Sequence, residues 1–170
     1  MKRLSSIALL AALTGAGCAT ATPDRVPAVA DAVSPAPGIV SAGRLAPADI
    51  GVLREAGIRH VIDLTPDAET PGFDEAAEVR AAGLGYSNLP LAGAPDLTRE
   101  NVLAFDALLR DTERPVLVHC ASGNRVGAMA ALRAAWVEGL PAEEAVEIGR
   151  EWGLTGLEAE VRRRIGSGSP

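Results

Sequence analysis

The segment PVLVHCASGNR, which runs from Pro115 to Arg125, carries the pattern that decides the fold. Its first part, Pro115–His119, is apolar almost throughout, as in strands that are buried in a parallel sheet. Cys120 then stands at the carboxyl end of that strand, ahead of a loop and a helical pattern. Because ligands of open α/β sheets bind beyond the carboxyl ends of the strands, the segment predicts a loop that presents Cys120 to a ligand.

Apolar runs and helical patterns alternate on both sides of this segment. Three further runs predict strands, at 39–42, 58–64 and 86–91. Helical periodicity predicts a helix after each of these strands and three more after the loop, at 125–138, 141–149 and 155–165. This order predicts an α/β fold with a mainly parallel central sheet of about four strands flanked by helices. Two start signals support the helices: Thr98 is suited to cap one, and Thr155–Glu158 has the pattern of a capping box.

The beginning of the chain has the pattern of an export signal. Lys2 and Arg3 are basic, and the apolar run Ile7–Leu13 that follows is too short to span a bilayer. Small residues precede Cys18 and resemble a bacterial lipobox, in which the cysteine is lipidated; an ordinary secretory signal with an incidental cysteine is the alternative. We therefore expect an exported protein on the periplasmic side of a bacterial membrane, anchored to that membrane by a lipid on Cys18.

The remaining boundaries follow from composition. Residues 1–17 are expected to be the signal peptide, and residues 18–38, rich in Ala and Pro, a flexible tether. The folded domain is expected to cover residues 39–166, and the Gly/Ser/Pro-rich residues 167–170 form a tail.

Composition also excludes some classes of function. Aromatic residues make up 3% of the chain and the formal net charge is −6, whereas a nucleic-acid-binding surface requires stacking rings and a basic face. An anionic substrate must therefore be small and recognised locally. The two His and two Cys residues lack helical ligand spacing, so no metal site is predicted and no cofactor is expected.

The loop after the strand combines three features that favour anion binding. Gly123 allows the chain to curl so that backbone N–H groups of the loop Ala121, Ser122, Gly123 and Asn124 point inward as an anion nest. The helix that follows directs its positive N-terminal end at the same point. Arg125 offers a bidentate fork to an oxyanion. Together these features favour the thiolate of Cys120, which is the reactive form.

These residues resemble the signature of the protein-tyrosine-phosphatase superfamily, which is His-Cys, five residues, then Arg. More closely, residues 39–153 resemble the bacterial beta-lactamase-hydrolase-like phosphatase domain, a family also known as a sulfurtransferase domain. The matching pieces are the Cys120 loop, Val40–Leu45, His60–Asp67 and Tyr86–Leu91. The resemblance implies that Cys120 attacks a phosphoryl group while the loop and Arg125 hold its oxygens. The expected partner is a small anionic or phosphorylated substrate, or a protein-borne phosphoester.

The loop differs from that of typical tyrosine phosphatases in two ways. Only four residues separate Cys120 from Arg125, a loop size usual in rhodanese-like sulfurtransferases, where the cysteine carries a persulfide. Val126 stands where phosphatases have a Ser or Thr that assists the departing thiolate. Sulfur transfer through a Cys120 persulfide is therefore the alternative activity, and a non-catalytic anion-binding module is a third.

The resemblance also implies a general acid, which in the superfamily comes from the loop after the strand that precedes the Cys strand. That loop is Ala92–Asp96, so Asp96 is the candidate; its alternative is a turn or capping role ahead of Thr98. Asp67 is a second candidate with an equally good turn context. His119 is expected to support the site by hydrogen-bonding the loop rather than by acting as a base.

Overall fold

We analysed a computed structural model of the chain, which describes residues 25–168. The expected signal peptide, Cys18 and the first part of the expected tether lie outside the described residues. None of the helices in residues 25–168 combines the length and the hydropathy needed to cross a bilayer.

A five-stranded sheet forms the centre of the molecule. Its strands lie in the order β1-β2-β5-β3-β4, with bounds β1 Val33–Ala36, β2 Ile39–Ala42, β3 His60–Asp63, β4 Gly85–Asn88 and β5 Val116–His119. All neighbouring strands pair in parallel except β1, which is antiparallel to β2. The predicted α/β class and mainly parallel sheet are confirmed, with β5 at the centre.

Within residues 25–168, six α-helices flank the sheet: α1 Asp49–Glu55, α2 Glu75–Ala81, α3 Arg99–Asp111, α4 Asn124–Trp136, α5 Ala142–Glu151 and α6 Glu158–Gly166. Two short 3₁₀ turns, Asp67–Glu69 and Ala94–Asp96, follow β3 and β4 respectively. Thr98 caps α3 as predicted, because its hydroxyl accepts a hydrogen bond from the amide of Asn101 at 3.2 Å.

The predicted tether is wrong over its last residues, since Val33–Ala36 is a strand of the sheet. Its Pro-rich composition hid this strand, because Pro35 lacks an amide N–H and proline is unusual inside a sheet. An edge strand tolerates such a residue, and β1 is the outermost strand. The turn to β2 passes through Gly38, whose φ of 73° suits glycine.

The predicted capping box of the last helix is also wrong. The helix α6 begins at Glu158, with Leu157 as the capping residue and no hydrogen bond from a side chain of its own segment. Instead, Oδ1 of Asn124 accepts hydrogen bonds from the amides of Thr155, at 2.9 Å, and Leu157, at 3.2 Å. A side chain from the start of α4 therefore holds the approach to α6.

The sheet separates two apolar clusters. The larger cluster, which includes Phe105, Met129 and Leu132, packs α3, α4 and α6 against one face. The smaller cluster, which includes Leu53 and Leu117, packs α1 and α2 against the other. Within β5, Val116 and Val118 belong to the first cluster and Leu117 to the second, so the central strand is buried on both faces as its apolar sequence predicted.

Helices α4 and α5 approach each other closely at two glycines. A Cβ atom on Gly127 would lie 2.6 Å from the carbonyl oxygen of Gly149, and also against the backbone of Leu154. No side chain larger than hydrogen fits this position without moving the backbone. The orientation of α4, and with it the start of the helix behind Cys120, is thereby tied to α5.

Candidate active site

The structure places Cys120 where the sequence predicted it, directly after β5 and ahead of α4. Its side chain is buried, with 1% of the residue exposed. The loop turns into the helix through Gly123, whose φ is 75°. Cys120 therefore lies at the base of a tight connection between the central strand and the N-terminal end of a 13-residue helix.

The backbone amides of this loop are largely uncommitted. Within residues 25–168, none of the four amides of Ala121, Ser122, Asn124 and Arg125 donates to a protein acceptor. The loop is instead held through its carbonyl groups and its outer side: the amide of Arg44 donates to the carbonyl of Ala121 at 3.2 Å, and Gly43 pairs with Ser122. Free N–H groups at the start of a helix are a suitable environment for an anion.

Two side chains of the predicted loop have other roles. Asn124 uses its side-chain oxygen to hold the segment before α6, so only its backbone faces the loop. Ser122 is exposed. The candidate anion site is therefore built from backbone N–H groups and from Arg125 rather than from polar side chains of the loop.

Arg125 is buried beside Cys120 and is fixed by two other segments. Its Nη1 and Nη2 atoms donate to Oε1 and Oε2 of Glu69, each at 2.7 Å. Nη1 also donates to the carbonyl oxygen of Leu91 at 2.5 Å. The hydrogen bonds to Glu69 are the main cause that raises the pKa of Arg125, and the charge of the Cys120 thiolate acts in the same direction.

The donors that remain on Arg125 form a second fork. A guanidinium group carries five N–H donors, and the two on Nη1 and one on Nη2 are taken by Glu69 and Leu91. Of the acceptors in residues 25–168, neither Glu69 nor Leu91 takes the Nε–H or the second Nη2–H, and in a planar guanidinium these two point in parallel. A parallel pair of this kind is the geometry that binds two oxygens of a tetrahedral anion.

Glu69 is the site residue that the sequence analysis missed. It ends the 3₁₀ turn after β3, and its backbone carbonyl accepts a hydrogen bond from Arg44 at 2.9 Å. The hydrogen bond from Arg125 is the main cause that lowers the pKa of Glu69. The sequence contains a signal for Glu69, because the carboxyl ends of parallel strands meet at one edge of a sheet. Glu69 lies in the same turn as Asp67, which is a candidate acid on that ground.

Asp96 lies in a loop that touches Arg125 through Leu91. Its Oδ2 atom accepts a hydrogen bond from the amide of Ala92 at 2.6 Å, so the carboxylate closes its own loop. This contact is the turn role that the sequence had left as the alternative. Oδ1 of Asp96 has no hydrogen-bond partner in the part of the chain that the structure describes.

Asp67, the second candidate acid, lines a cavity of about 400 Å³. The other acidic residues of its lining are Asp63, Asp74 and Glu75, and Tyr86 forms part of its wall. No residue of the Cys120 loop contributes to this lining. The structure therefore groups Asp67 with the acidic cavity.

His119 is held by carboxylates and not by the loop, which corrects the expectation for this residue. Its buried Nε2 lies 2.7 Å from Oε1 of Glu75 and 3.4 Å from Oδ1 of Asp63. The Nδ1 atom has no partner within the described residues. Asp63 is itself held by the hydroxyl of Tyr86 at 2.8 Å, and burial, followed by this hydrogen bond, raises the pKa of Tyr86.

The same three residues, Asp63, Glu75 and His119, are the ones that could hold a metal ion. One ligand atom from each lies within 4.8 Å of the others, and all three are buried. The sequence analysis considered only His and Cys spacing and so did not anticipate this cluster. The Nε2–Oε1 distance of 2.7 Å is that of a hydrogen bond, so His119 and Glu75 are hydrogen-bonded to each other in this cluster.

Known proteins are similar to this chain in sequence and in fold. The family described as "Beta-lactamase hydrolase-like protein, phosphatase-like domain" matches residues 20–137. A beta-lactamase hydrolase-like protein of Xylella fastidiosa is 44% identical over 73 residues, which cover 41% of this chain and 17% of that protein. Dual specificity protein phosphatase 12 of Mus musculus is 36% identical over 118 residues, covering 63% of this chain and 32% of that protein.

A similar solved structure comes from Neisseria meningitidis, where the protein is provisionally named a phosphatase. It is 26% identical, has a TM-score of 0.67, and the alignment covers 79% of this chain and 96% of that one. The chain spans less than a third of the length of the curated relatives named above. The fold of this chain is phosphatase-like and related to that of the tyrosine and dual-specificity phosphatases.

Proposed function

Because the chain belongs to the family of phosphatase-like domains of beta-lactamase hydrolase-like proteins, we propose that it is a phosphatase that uses Cys120 as its nucleophile. The substrate is a phosphate monoester, either small or carried on a protein. Cys120, Arg125 and the free loop amides form the catalytic site. The residue roles in this proposal rest on the geometry of this chain.

The observation that carries the proposal is the pair of donors that Glu69 and Leu91 leave free on Arg125. These donors belong to the same side chain whose pKa responds to the Cys120 thiolate. Four amides at the same loop donate to no acceptor in the part of the chain that the structure describes. A phosphoryl group on Cys120 has three oxygens that require donors, and this loop supplies both a charged fork and backbone N–H groups.

The proposed chemistry has two steps. In the first, the thiolate of Cys120 attacks phosphorus, the phosphorus–oxygen bond to the alcohol breaks, and Asp96 gives a proton to the departing oxygen. In the second, water attacks the phosphocysteine, inorganic phosphate leaves, and the thiolate is restored. Asp96 accepts the proton of that water, which returns the carboxyl group to its starting state.

Sulfur transfer is the second candidate, and the tight loop favours it. Four residues separate Cys120 from Arg125, and 1% of Cys120 is exposed, so a single sulfur atom is accommodated more easily than a phosphoryl group. In this reaction the thiolate attacks the outer sulfur of thiosulfate, the sulfur–sulfur bond breaks, and sulfite leaves. The persulfide on Cys120 then passes its sulfur to a nucleophilic acceptor.

Parallel turnover assays separate the two reactions. The full chain is given an aryl phosphate in one assay and thiosulfate with cyanide in the other, and Cys120→Ser serves as the matched variant in both. Aryl phosphate turnover that Cys120→Ser abolishes while circular dichroism stays unchanged supports the phosphatase. Thiosulfate turnover alone assigns sulfur transfer, and phosphate binding with neither turnover assigns an anion-binding module.

We also propose that the protein is exported and lipid-anchored at Cys18, on the strength of the lipobox-like residues that precede it. Mass spectrometry of the membrane fraction should find a mature chain that begins at a diacylated Cys18. A soluble periplasmic chain cleaved elsewhere would contradict the lipid, and cytosolic protein with Met1 retained would contradict export.

A further inference from the structure

The loop that carries Asp96 is joined to the last helix of the molecule by one side chain. Arg164, in the final turn of α6, donates from Nη2 to the carbonyl of Ala94 at 2.9 Å and from Nη1 to the carbonyl of Leu97 at 2.5 Å. These two carbonyls flank Asp96 in the sequence. We propose that Arg164 is a positioning residue, which holds the Asp96 carboxylate in place for proton transfer; this inference rests on the proposed phosphatase function.

Side chains, rather than a sheet or helix, fix this loop. The side-chain amide Nδ2 of Asn101 donates to the carbonyl of Asp96 at 2.7 Å, so the carbonyls of Ala94, Asp96 and Leu97 accept from Asn101 or Arg164. A 3₁₀ turn of three residues has little stability of its own. The guanidinium plane of Arg164 meets two carbonyls at once, which sets both the position and the orientation of the turn.

The opposite end of the loop is tied to the anion site. The carbonyl of Leu91 accepts from Arg125, and the next amide, that of Ala92, donates to the carboxylate of Asp96. The loop is therefore held at Leu91 by the arginine of the anion site and at Leu97 by Arg164. Loss of either arginine frees one end, but only Arg164 lies outside the anion site.

Arg164 is itself held by a carboxylate on its own helix. Its Nε donates to Oε1 of Glu160 at 2.6 Å, one turn earlier. The side chain is 17% exposed, so removing it takes the Arg164 donor from the carbonyl of Leu97 and leaves that of Ala94 with the amide of Leu97 at 3.3 Å, in a partly buried place. Its neighbour Arg163 also pairs with Glu160 but donates no hydrogen bond to the loop within the described residues.

This contrast supplies a matched control. We suggest comparing Arg164→Ala and Arg163→Ala in the full chain with a series of aryl phosphates whose leaving groups range from nitrophenol to phenol. Hydrogen–deuterium exchange of a peptide covering 92–97 is measured on the same samples. Arg164→Lys is the second variant, because it keeps the charge and the apolar stem but donates from one point rather than from a fork.

In Arg164→Ala we expect faster hydrogen–deuterium exchange in residues 92–97. The kcat for phenyl phosphate should fall roughly tenfold, because a poor leaving group depends most on the acid. The kcat for nitrophenyl phosphate should change by less than about twofold. Arg164→Lys should show a smaller change in exchange and in kcat, in the same direction. If Arg164→Ala does not fold, the comparison is made with Arg164→Lys. Arg163→Ala should match the wild type. An active enzyme whose leaving-group dependence is the same in both Arg164 variants as in the wild type overturns this inference alone. A wild type without aryl phosphate turnover overturns the proposed function, and the inference with it.

Discussion

Glu69 pairs with both terminal nitrogens of Arg125, at 2.7 Å each, although 56 residues separate the two in the chain. The contact joins the turn after β3 to the start of α4. Because the carboxylate takes the end of the guanidinium, the side with Nε is not occupied by Glu69. Glu69 therefore decides which way Arg125 faces.

Replacement of Glu69 by Gln should impair substrate binding. The amide keeps one acceptor oxygen but presents an NH₂ group to an arginine N–H, so one hydrogen bond is lost and Arg125 can rotate. We expect KM for an aryl phosphate to rise roughly tenfold and the inhibition constant of vanadate to rise in parallel. Glu78→Gln removes the same charge from an exposed position on α2 and should leave both constants unchanged. Wild-type constants in Glu69→Gln would contradict the orienting role.

The pair of Glu69 and Arg125 should make the free energy of unfolding depend on pH. Arg125 lowers the pKa of Glu69 below its ordinary value of 4.5, so the folded state keeps this carboxylate ionised where the unfolded chain already binds a proton. The stabilisation is therefore complete above the ordinary pKa and is lost as the pH falls through the lowered value. Urea unfolding should show a larger loss of free energy for Glu69→Gln at about pH 7 than at about pH 3. A difference from the wild type that is equal at both pH values would exclude this linkage.

The proton donor can be assigned with the two aspartates. If Asp96 is the acid, Asp96→Asn should slow hydrolysis of phenyl phosphate by about 100-fold and affect nitrophenyl phosphate much less. Asp67→Asn should leave the leaving-group dependence unaltered, since Asp67 belongs to the acidic cavity. The reverse pattern in a kcat series would transfer the role to Asp67, and equal losses for all substrates would make Asp96 a turn residue only.

Two glycines give a test of the helix packing that supports the site. Gly127→Ala forces a Cβ to within 2.6 Å of the carbonyl of Gly149, and we expect a loss of about 3 kcal/mol or more in the free energy of unfolding. Gly51→Ala is the control, because its Cβ would meet nothing within 4 Å. That change should stabilise α1 by about 0.5–1 kcal/mol. Similar effects of the two substitutions in denaturant melts would show that α4 and α5 are not closely packed.

The sequence predicted those parts of the site that are continuous in the chain. Cys120, Gly123 and Arg125 follow one another between a strand and a helix, so local patterns alone locate them. Glu69 and Glu75 reach the site from other segments, and no local pattern distinguishes them from surface carboxylates. Asp67 and Glu69 lie two residues apart, and only the shape of the 3₁₀ turn decides that Glu69 meets Arg125.

The errors in the sequence analysis share a physical cause. Local patterns predict Thr155 as a cap and His119 as a support of the loop, each from its nearest neighbours. In the structure Asn124 caps the segment of Thr155, and His119 pairs with Glu75, 44 residues away. Short polar side chains have several possible partners nearby, so the tertiary fold selects among them.

The position of Pro35 in β1 bears on how the protein behaves at high concentration. An unpaired sheet edge offers a row of backbone donors and acceptors to any strand of another molecule. β1 is four residues long, and Pro35 removes one of its donors, so this edge is a poor template for aggregation. Pro35→Val would lengthen the usable edge, and light scattering of concentrated samples should then detect self-association that the natural chain resists.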